Sequence, residues 1–77
     1  MKRYQNRDSG VIEYEIADES ITIKFKPRLG RPDTYLYTYE SAGEDAIEEM
    51  KKFAELGAGL STYISQTQPG YVKKWKS

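Results

Sequence analysis

A chain of 77 residues with 12 basic and 12 acidic side chains, no histidine and no cysteine makes one small domain, and at this size only about 60% of the unfolded surface is buried on folding. The missing cysteines exclude disulfides, thiolate chemistry and sulfur-ligated zinc, and the missing histidine removes the usual neutral-pH general base and the commonest metal ligand. A net charge of zero gives the whole chain no pull on a polyanion, so any charged function must come from segregation within it.

In chain order, "MKRYQNRDSG" has no apolar stretch of the kind that directs secretion, and no apolar run approaches the roughly 18 residues of a membrane span. A cytoplasmic location with no membrane partner is expected. "SGVIEYEIA" then alternates, with Ile12, Tyr14 and Ile16 on one side and Val11, Glu13 and Glu15 on the other, which predicts a half-buried strand. "SITIKFK" repeats the pattern with Ile21, Ile23 and Phe25 against Thr22, Lys24 and Lys26. A tight turn at Asp18 and Glu19 pairs Ile16 with Ile21, Tyr14 with Ile23 and Ile12 with Phe25.

"KPRLGRPD" carries two prolines and a glycine and reads as a loop, followed by the strand "TYLYTY". From Ala46 the period changes: apolar positions 46, 47, 50, 53 and 54 lie on one helical face. Ser41 or Gly43 can cap that helix, Glu44, Asp45, Glu48 and Glu49 sit near its positive end, and Gly57 suits its stop. Leu60, Tyr63 and Ile64 predict a second, short helix over "LSTYISQ", ended by Pro69 and Gly70. The predicted fold is α+β: a three-stranded antiparallel β-meander followed by one longer and one short helix on one sheet face. Residues 1–77 form a single domain with an ordered core over about 9–72 and a basic tail over 70–77.

Three tyrosines, Tyr35, Tyr37 and Tyr39, recur at alternate positions of the third strand. If Phe25 faces Tyr35, Ile23 faces Tyr37 and Ile21 faces Tyr39, the rings share the core side, with hydroxyls reaching the rim. A slip of one residue would bury Thr34, Leu36 and Thr38 instead and hold three rings out as a stacking platform, a poorer core for so short a chain. The inward register is therefore expected, which makes Tyr35 and Tyr37 core residues.

The segment "YLY", preceded by "SGVIEYEIADESITIKFK" and followed by a helix ending near "AELGAGLSTYI", resembles the KTSC domain. That family is a short module with a central Tyr-x-Tyr, found alone in bacterial proteins and at the C-terminus of some lysyl-tRNA synthetases. The similarity covers roughly residues 9–72, and each motif in it is short. Tyr35 and Tyr37 fall on the Tyr-x-Tyr, and Ser9, Ile12, Tyr14 and Phe25 on the family's start and first two strands. The loop "KPRLGRPD" is longer than the family's turn, and the tail is richer in lysine and tryptophan. The resemblance implies no enzymatic activity and a suggested RNA-binding role.

The remaining constellations follow from charge. Glu44, Asp45, Glu48 and Glu49 put carboxylates one helical turn apart, a set that can hold a hard cation, but a solvated helix start with a Glu48 to Lys52 pair is the simpler reading, so no metal and no cofactor are expected. "GYVKKWKS" has the composition of a segment that tracks a backbone and stacks on bases, and equally that of a frayed end with Tyr71 or Val72 on the sheet edge. With the cluster from Lys24 to Arg31 it could line one groove. Two functions remain open. One is a non-enzymatic module that binds RNA or single-stranded nucleic acid weakly through Lys24, Lys26, Arg28, Arg31, Lys73, Lys74 and Trp75. The other is a module that docks a protein partner or a second copy of itself.

Overall fold

The computed structural model describes residues 1–6 and 9–77. The two alternating runs form strands β2 (Val11–Ala17) and β3 (Ser20–Phe25), joined through Asp18 and Glu19. Ile16 faces Ile21 and Tyr14 faces Ile23, as the alternation predicts. The end of the hairpin departs from that reading. A bulge between Val11 and Glu13 sets Val11, not Ile12, opposite Phe25. Val11 is consequently buried, while the Ile12 carbonyl accepts the Tyr4 N–H at 2.7 Å. One extra residue in a strand turns the chain over and swaps which neighbour faces inward.

The third long strand, β4 (Thr34–Thr38), continues the meander. It pairs Ile23 with Tyr35 and Ile21 with Tyr37, an offset of two from the predicted register. A shift of two preserves the face of every side chain, so the tyrosines do point to the core side. Tyr39 leaves the strand altogether. It opens the helical turn α1 (Tyr39–Ala42), where Thr38 is the N-cap and forms a reciprocal capping box with Ser41. Ser41 thus caps this turn and not the long helix.

Helix α2 (Glu44–Leu56) buries Ile47, Met50 and Ala54, three of the positions expected on its apolar face, and ends on Gly57 in the left-handed conformation. It packs on β3 and β4. Helix α3 (Leu60–Thr67) contributes fully buried Leu60, whose N–H donates to the Tyr4 hydroxyl at 3.2 Å. The fold is α+β, with a core of Ile21, Ile23, Tyr37, Ile47, Met50 and Leu60 between helices and sheet. No helix among the described residues is long and apolar enough to cross a membrane.

Among the described residues two short strands, β1 (Lys2–Arg3) and β5 (Lys73–Trp75), enlarge the predicted sheet from three strands to five, in the order β1-β2-β3-β4-β5. Strand β1 pairs with β2, and β5 pairs with β4. Residues 2–3 and 73–75 are therefore paired in the sheet, and the tail does not fray after Val72, whose N–H donates to the Leu36 carbonyl at the sheet edge as expected. The tail's anchor is Asp33, a buried carboxylate. Asp33 Oδ1 accepts the Ser77 N–H at 3.0 Å, the Ser77 hydroxyl at 3.1 Å and the Thr34 hydroxyl at 2.8 Å.

Those bonds hold the Asp33 carboxyl below the usual carboxylate range, the Ser77 N–H contributing most, with Lys24 adding its charge. A depressed folded-state pKa favours the native state wherever the group is ionised, so this contribution is complete above the ordinary Asp value near 4 and disappears as pH falls through the folded value. Acidification below about pH 4 should therefore release β5, seen as a change in Trp75 emission ahead of global unfolding. Asp33→Asn should abolish that acid step. Its persistence in the variant would assign the step to another group.

Candidate functional site

The alternation that builds the sheet also sorts the charged residues between its faces. Lys24 pairs with Glu13 and Thr34, Thr34 with Trp75, and Leu36 with Lys73. Paired residues share a face, so Lys24, Lys73 and Trp75 lie on the side away from the helices. There Lys73 Nζ stands 5.4 Å from the centroid of the Trp75 ring, a cation–π contact. Lys74 pairs with Tyr35 and faces the helix side.

On that side the tyrosine strand, the 26–32 loop, α3 and β5 enclose an open cavity of about 920 Å³. Phe25, Tyr35, Tyr37 and Tyr71 supply its rings, Ile64, Gln68 and Pro69 its far wall, and Lys26, Arg28, Arg31 and Lys74 its charges. The seven predicted contact residues are thus divided. Four of them surround the cavity, and Lys24, Lys73 and Trp75 do not. The predicted merger of the loop and tail patches into one groove holds for those four alone.

The loop presents its cations on a small turn of its own. Arg31 N–H donates to the Arg28 carbonyl at 3.1 Å, and Gly30 has φ of 72°, the positive value that the third residue of a type II turn requires. Arg28 and Arg31 therefore sit side by side at the base of the turn, both exposed, and Leu29 at its tip is fully exposed.

The rings form a continuous cluster. Tyr35 and Tyr37 stack at 6.2 Å, an angle of 15°, while Phe25 and Tyr71 meet Tyr35 edge-on at 5.5 and 5.0 Å. Edge-to-face pairs of this kind favour a fixed arrangement over a sliding one. Tyr37 is almost wholly buried, Tyr35 is half-buried, and Tyr71 is 42% exposed. Burial, with the neighbouring Tyr35 and Tyr71, raises the Tyr37 hydroxyl well above its ordinary value and keeps it neutral. Lys74 Nζ lies 5.3 Å from the Tyr71 ring centroid, and its hydrogen bond with Tyr71 raises its pKa, so the ammonium stays charged.

The acidic helix start forms a separate surface. Glu48 accepts the Tyr39 hydroxyl at 2.6 Å and the Lys51 ammonium at 3.0 Å, contacts that lower the Glu48 carboxyl, Tyr39 first, and push Tyr39 up to about 12. The ion pairs run Glu48 to Lys51 and Glu49 to Lys52, one turn of i,i+3 spacing in place of the predicted Glu48 to Lys52 pair. Lys51 also donates to the Asp18 carbonyl at 2.7 Å, tying α2 to the β2–β3 turn. Among the described residues, no group of three or more carboxylates is placed to hold a metal ion.

Sequence reasoning placed Tyr71 only as a stacking or sheet-edge residue of the tail and Phe25 only in the second strand, and assigned neither to the wall of a cavity. The signal for Tyr71 was compositional: it lies beside lysines in a segment read either as base-stacking or as a frayed end with Tyr71 or Val72 on the sheet edge. Compared with known proteins, the chain matches no family model, no curated protein and no solved structure.

Proposed function

We propose that this chain is a non-enzymatic module that binds single-stranded nucleic acid weakly, RNA foremost. The observation that carries this reading is the lining of the cavity: among the described residues it has four cations, Lys26, Arg28, Arg31 and Lys74, and no carboxylate, in a chain whose net charge is zero. A local excess of that sign draws a polyanion that the molecule as a whole does not attract. The resemblance of the Tyr35 and Tyr37 segment to the KTSC domain points the same way. The alternative of docking a protein along a sheet edge has less behind it. The two edges, β1 and β5, are two and three residues long and carry Lys2, Arg3, Lys73 and Lys74, the short charged edges that discourage strand addition.

Fluorescence anisotropy of a labelled single-stranded RNA 12-mer tests the reading. With one phosphate on each of the four cations, and about −0.7 in the log–log salt slope per phosphate of a single strand, the slope should lie near −3, a loss of roughly fifty-fold between 50 and 200 mM salt. Arg28→Gln with Arg31→Gln should reduce the slope by about 1.4, whereas Lys24→Gln, on the other face, should leave it in place. No binding at tens of micromolar in low salt would overturn the reading. Sedimentation showing self-association unaffected by RNA would put the docking module in its stead.

A further inference from the structure

Resting on that reading, we infer that the cavity is a base pocket: it takes one unstacked nucleobase against Tyr35 and Tyr71 while the rim cations hold the flanking phosphates. Cations alone would bind any polyanion. Here they surround a recess whose interior is aromatic, and a nucleotide is the unit that joins a flat π-face to an anion within one short covalent span. The cavity, about 920 Å³, lies within the range of pockets that hold small ligands.

Accessibility decides which nucleic acid can reach the rings. Tyr71 is 42% exposed, but it stands edge-on to Tyr35 and Tyr37 inside the recess, not on a flat outer face. A duplex keeps its bases within the stack and shows a recess only its phosphates. A single strand can splay one base outward, the mode that single-strand recognition uses. The interior also suits a neutral base with anionic neighbours. Pro32, Pro69 and Ile64 join the rings in a largely apolar enclosure.

The test compares three ligands of equal length by anisotropy at low salt: a single-stranded RNA 12-mer, the corresponding abasic ribose-phosphate 12-mer, and a duplex of the same sequence. Base stacking on an aromatic side chain contributes enough that the abasic strand should bind roughly tenfold or more weakly, with an unchanged salt slope, and the duplex should resemble the abasic strand. Tyr71→Leu, which keeps apolar bulk but has no π-face, should bring the 12-mer down to the abasic level and leave the abasic strand unaffected. Tyr71→Phe should retain the preference. Equal affinity for the two single strands overturns the base pocket and leaves single-strand binding standing, because that outcome rests on phosphate contacts alone. Failure of both strands to bind overturns pocket and reading together. The ligand comparison needs no protein variant, so poor folding of a Tyr71 substitution cannot mask its result.

Discussion

Gly70→Ala is expected to detach the C-terminal strand and dismantle the cavity while the three-stranded meander and its helices persist. A Cβ at Gly70 would meet the backbone carbonyl oxygen of Ser41 closer than side chains approach main chain. That oxygen is fixed, because in the cap of α1 the Ser41 N–H donates to the Thr38 hydroxyl and the Ser41 hydroxyl accepts the Thr38 N–H. The 70s segment must therefore move. Doing so breaks the 2.8 Å bond from the Ser41 hydroxyl to the Gly70 carbonyl and strains the approach to Val72, whose N–H donates to the Leu36 carbonyl.

Overpacking at a fixed contact costs about 1 to 3 kcal/mol, and this short ladder with its two anchors has little to set against it. Tyr71 and Lys74 would leave the cavity wall, and Trp75 would lose its place beside Thr34. The expected readings are altered Trp75 emission, a modest fall in melting temperature, and loss of the single-strand preference. A variant with wild-type emission and melting would show that the close approach at Gly70 is not required.

Ile47→Ala is expected to cost the fold a large share of its stability. Ile47 is fully buried where α2 crosses β3 and β4. Truncating such a residue costs about 2 to 5 kcal/mol, the lost transfer energy plus the cavity left behind. At 77 residues the whole domain is stable by only about 4 to 12 kcal/mol. The midpoint of thermal unfolding, followed by circular dichroism, should fall by on the order of 15 °C. Leu29→Ala is the matching control, since the same kind of truncation at a fully exposed position should change stability by less than about 0.5 kcal/mol. Comparable losses for both would contradict the assignment of the core.

The hairpin and the helical face were legible in the sequence because each repeats one rule. Ile16 with Ile21 and Tyr14 with Ile23 follow from alternation, and Ile47, Met50 and Ala54 from helical spacing. The two-residue offset of β4 left no trace in the pattern, because it keeps every side chain on its face. The Ile12 bulge was hidden for a different reason. Val11 and Ile12 are both apolar, so either could serve as the inward residue, and the choice falls to a hydrogen bond from distant Tyr4. Strand β5 carries no apolar alternation at all. What holds it is the ladder to β4 together with contacts across the fold such as Asp33 with Ser77 and Ser41 with Gly70, and no local propensity encodes them. The cavity shares that property. Lys26, Tyr35, Ile64 and Tyr71 come from four separate segments, so its composition could be read from the chain but not its enclosure.

The pairing of β4 with β5 has a consequence for the order in which the molecule assembles. Strands β2, β3 and β4 follow one another along the chain and can zip up locally, whereas β5 reaches β4 only after all three helices have intervened. Contacts that span so much chain must overcome loop closure before they repay it. The wall carrying Tyr71 and Lys74 should thus be laid down last and be the first to open by partial unfolding. Amide exchange at Val72 and Lys74 should run ahead of exchange at Ile21 and Ile23. A bound strand would slow the first pair far more than the second, so that occupancy of the recess and completion of the sheet become one event.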